Sequence, residues 1–180
     1  MSNEKEPTRL SEAGKAAYQK ADFQMAAQLF MEAMQAFKQN GDELSAAEMA
    51  NNRSVALLQG GDPAGSLKAV EGSDLVFAKA GDVRRQAMAL GNQGAALEAL
   101  GLRNEALATY QKASNLFKDI GEHELRAPLL RSISSLQLRT GGVLSSIVTM
   151  RNSLQEIEHP NGFQRFVLKI FGFLLGRFGL

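Results

Sequence analysis

Small and apolar positions along the chain repeat in a frame of forty residues. Set in rows of forty (1–40, 41–80, 81–120 and 121–160), the sequence keeps this pattern without a gap. One column holds Gly14, Ser54, Gly94 and Ser134; a second holds Ala26, Ser66, Ala106 and Ser146; a third holds Ala33, Ser73, Ala113 and Ser153. Larger apolar side chains keep station with them: Ala27, Leu67, Leu107 and Ile147 follow the second column, and Phe30, Val70, Tyr110 and Met150 stand four residues past it. Phe37, Phe77, Phe117 and Ile157 follow the third. Spacings of three and four place such residues on one face of a helix, and a small residue on that face lets a second helix approach closely.

Breaks in the pattern fall at fixed places. Ala21, Gly61, Gly101 and Gly141 divide each row in half, while Gly41, Gly81, Gly121 and Asn161 divide one row from the next. Gly and Asn are the residues that accept the left-handed conformation that ends helices. Each row is therefore expected to be a helical hairpin. Asp22, Asp42, Asp62 and Asp82 stand where a side chain can cap the following helix, and Pro63 suits a first helical position. The second row is the best punctuated of the four, and Pro128 predicts a late start or a bend in the first helix of the fourth. Residues 1–7 are expected to be a lead-in to a helix starting near Thr8, 8–160 the repeat domain, and 161–180 a further helix.

The order small residue, Gly, Ala, aromatic, Ala resembles the tetratricopeptide repeat, most closely in the third row through Asn92, Gly94, Gly101, Ala106, Tyr110 and Ala113. The period of forty exceeds the family's usual thirty-four and is similar to the long-helix variants in soluble attachment proteins and kinesin light chains. The aromatic usual in the first helix is replaced by Ala17, Leu57, Leu97 and Gln137. The resemblance implies an all-α fold, an α-solenoid of four hairpins in a right-handed superhelix. It also implies a non-catalytic adaptor that holds a peptide or helix in a concave groove lined by the first helices. Lys15, Asn51, Asn52, Val55, Asn92, Glu98 and Arg131 would lie on that groove, with Ser11, Tyr18, Ala95 and Arg139 beside them. Asn52 and Asn92 match positions that bond the backbone of an extended peptide; the alternative is that they satisfy neighbouring helix ends. A carboxylate clamp needs more basic residues than Lys15 supplies.

Composition narrows the chemistry. The absence of cysteine excludes disulfides, thiolate metal sites and cysteine nucleophiles. His123 and His159 stand apart from any metal-ligand or nucleophile spacing, and no phosphate-cradling glycine run is present. No catalytic, metal or cofactor site is expected. A net charge of +1 gives no attraction to nucleic acid, and the polar residues 1–9 lack the apolar core of a secretory signal, so a cytoplasmic protein is expected.

The charge is unevenly spread. All acids lie at or before Glu158, and Arg165, Lys169 and Arg177 follow it, so the last stretch carries +3 and the rest −2. Phe163 to Leu180 is rich in Phe163, Phe166, Ile170, Phe171, Phe173, Leu174, Leu175 and Phe178, with Arg165, Lys169 and the glycines gathered in a narrow sector. Three readings stand open. The segment is a cap over the last hairpin, an amphipathic contact with an anionic membrane surface, or a contact with a protein partner, including homo-oligomer formation by a self-assembling structural protein. Eighteen residues make about 27 Å of helix against a hydrocarbon core of about 30 Å, so lying at the surface, peripheral to the membrane, is favoured over crossing.

Overall fold

The computed structural model describes residues 5 to 176. Among these the chain is all-helical, with ten helices: α1 (Lys5–Gln19), α2 (Phe23–Gln39), α3 (Glu43–Gln59), α4 (Pro63–Val70), α5 (Ser73–Lys79), α6 (Val83–Ala99), α7 (Arg103–Asp119), α8 (His123–Arg139), α9 (Val143–Gln155) and α10 (Gly162–Gly176). They fall into two compact units, residues 1–106 and 107–180, with the division inside α7. In the first unit α1 packs on α2, α2 on α3, and α3 on α4, α5 and α6; in the second, α8 packs on α9 and α9 on α10.

The forty-residue frame governs where helices end. Positive φ angles recur at Ala21 (59°), Gly61 (84°), Gly101 (78°) and Gly141 (87°), and at Gly41, Gly81 and Gly121. Ala21 is the single non-glycine residue in this conformation among those described. Asn161 departs from its column: it shows no positive φ and instead caps α10. The Asn161 amide donates to Gln164 Oε1 (2.7 Å) and the Gln164 amide to Asn161 Oδ1 (2.9 Å), a reciprocal box that satisfies two free amides of the first turn. Asp22, Asp42, Asp62 and Asp82 each accept a backbone N–H three residues on, from Met25, Ser45, Gly65 and Arg85.

The small columns are where hairpins close. Gly14, Ser54, Gly94 and Ser134 are all buried, as are Ala26, Ser66, Ala106 and Ser146. A methyl group added to Gly14 would sit 2.8 Å from the Phe30 ring, so the glycine is there to admit the aromatic. In the second row Ser54 and Ser66 take the places of Gly14 and Ala26, and their buried hydroxyls bond each other at 2.8 Å. The fourth row does the same: Ser134 Oγ meets Ser146 Oγ at 3.0 Å and donates to the Ser146 carbonyl at 2.9 Å, and Ser153 Oγ donates to the Ala127 carbonyl at 2.9 Å. A buried hydroxyl without a partner costs about 1–3 kcal/mol, which is why these serines come in bonded sets.

Three features depart from the sequence reading. α1 begins at Lys5 rather than near Thr8, with Pro7 buried in its first turn, where the amide that proline lacks has no intrahelical partner to lose. The second helix of the second row is broken: Gly72 adopts φ 76° between α4 and α5, so the row that looked best punctuated is the one interrupted in mid-helix. α8 starts at His123, in register with the other rows, and carries Pro128 inside it; of the late start or bend expected from this proline, the late start does not occur.

Phe77 is fully buried on α5 and packs with Ala47, Val70 and Ala89, with Val76 alongside. Phe30, Ala26, Ala27, Ala33, Met49 and Ala56 form a second cluster, flanked by Leu10, Tyr18, Phe37 and Leu57. Together these clusters fix the relative positions of α1, α2, α3 and α6, and hence the surface that α1 and α3 share.

Candidate functional site

That surface carries a cleft of about 360 Å³ lined by Lys15, Tyr18 and Gln19 of α1, Phe30 of α2, and Glu48, Asn52 and Val55 of α3. Residues 48, 52 and 55 lie on one side of α3 because they are spaced by four and three. The floor is apolar. Tyr18 is held edge-on to Phe23, ring centroids 5.4 Å apart, and Phe30 is nearly inaccessible, so the floor is built from side chains already fixed by the core.

The rim is polar and partly committed. Lys15 Nζ donates to Glu12 Oε1 at 2.8 Å. Glu48 Oε2 accepts from Arg85 Nη1 at 3.1 Å, and Arg85 Nε donates to Asp82 Oδ2 at 2.6 Å while its guanidinium lies 5.1 Å over the centre of the Phe77 ring. This chain ties α3 to the start of α6. The Arg85 amide, and then its side chain, hold the Asp82 carboxyl below the usual carboxylate value, and the bond to Asp82 raises Arg85 in turn. The Asp42 carboxyl is lowered in the same way by Ser45, whose side chain and then backbone amide donate to it.

The expected groove residues divide. Lys15, Asn52 and Val55 meet in the cleft. Asn51 is buried, and Asn92 Nδ2 donates to its Oδ1 at 2.8 Å, so this pair joins α3 to α6. Of the two asparagines matched to peptide contact, Asn92 is thus engaged within the protein, whereas the side-chain amide of Asn52 makes no hydrogen bond among the described residues. Ser11 is buried on α1, and Ala95 and Glu98 are half-buried on α6. Arg131 and Arg139 belong to the 107–180 unit and are exposed; Arg131 lines a second cleft there with Glu124, Pro128, Glu158 and His159. No protein-family model and no curated relative matches this chain. What the cleft can hold has to be read from its own residues.

Two further features leave little trace in the sequence. Behind α3, on the side away from the cleft, a cavity of about 570 Å³ opens at the α4–α5 break, lined among others by Lys38, Arg53, Lys68, Glu71 and Gly72. The glycine outside the frame was its only signal. In the 107–180 unit, Glu156 at the end of α9 binds both Arg126 and His123 of α8, and Arg126 Nε donates to Ser114 Oγ at 3.2 Å. His123 is therefore an exposed residue with a structural partner.

The helix α10 sorts its residues into three sectors. Gln164, Val167, Leu168 and Phe171 are half-buried and Leu175 is buried, a stripe spaced by three and four on a helix that packs on α9. Phe163 (74% exposed), Phe166 (59%), Ile170, Phe173 (73%) and Leu174 form a second, exposed stripe. Arg165, Lys169, Gly172 and Gly176 form the third, also exposed. Arg177 and Phe178 lie outside the described residues. No helix among those described is long and apolar enough to cross a membrane.

Proposed function

We infer that the chain is a tetratricopeptide-like α-solenoid, its hairpins winding as a right-handed superhelix, that acts as a non-catalytic cytoplasmic adaptor holding an extended peptide on its first-helix face. The observation that carries this reading is the α1–α3 cleft. Its floor of Tyr18, Phe30 and Val55 suits one apolar side chain of a ligand, and the unengaged amide of Asn52 stands at its edge with a donor and an acceptor to offer a peptide backbone. Helix ends recurring at forty-residue intervals support the repeat assignment. The Asn51–Asn92 bond supports a rigid platform, so that little ordering of the protein opposes binding.

Panning a display library of short random peptides against the intact chain tests the reading, followed by affinity measurements on the recovered peptides. Asn52→Ala is expected to weaken them by about tenfold, the worth of one to two net hydrogen bonds, and Val55→Glu to abolish capture by placing a charge on the apolar floor. Peptides that bind both variants as they bind the native chain would sink the proposal.

A further inference from the structure

We propose that the outward face of α10 is a docking surface for an anionic lipid membrane, used while the helix remains packed on α9. A helix that only covers its neighbour needs one apolar stripe and a polar back. α10 has its covering stripe in Val167, Leu168, Phe171 and Leu175, yet its back carries a second apolar stripe with Phe163, Phe166 and Phe173 each more than half exposed. At 100° per residue the sectors are consecutive arcs of about 120°. The solvent side of the helix is thus apolar along one half and cationic or glycine along the other.

This arrangement selects the occupant by charge. Arg165 and Lys169 lie on the same side of the cylinder, one turn apart, and the described residues of α10 include no acid. Phe side chains entering the acyl boundary with lysine and arginine at headgroup level is how interfacial helices bind anionic bilayers. A groove on a protein partner would need an acidic rim matched in position to Arg165 and Lys169, whereas an anionic bilayer offers negative charge at headgroup level all along the plane that the apolar stripe enters. Glycines at 172 and 176 keep the cationic sector low, so the basic side chains can lie against the same plane as the aromatic ones. Because the buried stripe and the exposed one are different residues, contact with a membrane does not require α10 to leave α9.

Co-sedimentation of the intact chain with phosphatidylserine-containing vesicles and with pure phosphatidylcholine vesicles tests this, alongside light scattering without lipid. The native chain is expected to sediment with the anionic vesicles and far less with the neutral ones. Arg165→Gln with Lys169→Gln should lower the partition into anionic vesicles on the order of thirtyfold. Phe166→Ser with Phe173→Ser should abolish it, and both doubles should melt within a degree or two of the native chain because the altered residues are exposed. Native protein left in the supernatant with anionic vesicles overturns the proposal, as does sedimentation unaffected by either double variant. Concentration-dependent growth in mass without lipid, lost in the Phe166/Phe173 variant, overturns it in favour of a face between copies of this chain.

Discussion

Replacing Phe77 by alanine probes the packing that sets the cleft in place. Phe77 is fully buried, its ring bounded by Ala47 of α3, Val70 of α4, Ala89 of α6 and the Arg85 guanidinium 5.1 Å away. Removing a buried phenyl ring costs about 3–5 kcal/mol, transfer and cavity together, and the stacked guanidinium adds about 0.5–1 kcal/mol. α5 has only seven residues, too few to hold a helix by its own hydrogen bonds, so the loss should fall first on α5. Against a domain stability of about 5–15 kcal/mol, the variant should melt on the order of 10 °C lower, with faster amide exchange in α5 than in α2. Leu75→Ala, on the same helix but 68% exposed, should change stability by less than about 0.5 kcal/mol. Equal effects from the two substitutions, or none from Phe77→Ala, would mean that α5 is not seated by its aromatic residue.

Gly14→Ala should destabilise by about 1–2 kcal/mol despite alanine's better helix propensity, because the new methyl meets the Phe30 ring at 2.8 Å. Combining it with Phe30→Val, which imitates the Ser54 and Val70 pairing of the second row, should give a loss smaller than the sum, measured by urea denaturation as a double-mutant cycle. Acid should weaken the first unit through Asp42 and Asp82. Both carboxyls are depressed in the folded chain below their ordinary value of 3.8, so their contribution is complete above about pH 4 and fades as pH falls through the folded values. Asp82→Asn should therefore be less stable than the native chain at neutral pH and show a shallower decline below pH 4 in the same assay.

How much was legible beforehand follows from the kind of interaction. The small columns, the left-handed turns and the Asp caps each depend on the size or capping chemistry of a residue at one position in the frame, so they could be read from spacing alone. The Ser54–Ser66 pair was visible as two small columns, but that the hydroxyls answer each other across the hairpin needed the helices placed. A lone glycine inside a helix costs about 1 kcal/mol and is commonly tolerated, so Gly72 does not by itself mark a break; its φ of 76° does. Asn51 and Asn92 show the limit for the site. Both sit on first helices, and only the rotamer that brings Asn92 Nδ2 to Asn51 Oδ1 decides that this amide serves the scaffold, whereas the Asn52 side chain has no such partner among the described residues. On α10 the residue types were plain, but which aromatic residues face α9 depends on the angle of docking.

The proposal that the face shared by α1 and α3 receives the peptide is tested by nuclear magnetic resonance of the intact, isotopically labelled chain during titration with a recovered peptide. Saturable shifts are expected in the amides of Lys15, Tyr18, Gln19, Glu48, Asn52 and Val55 and in the Asn52 side-chain amide, with the Asn92 side chain scarcely changed. Shifts centred instead on Lys38, Arg53, Lys68 and Gly72, around the cavity behind α3, would contradict it.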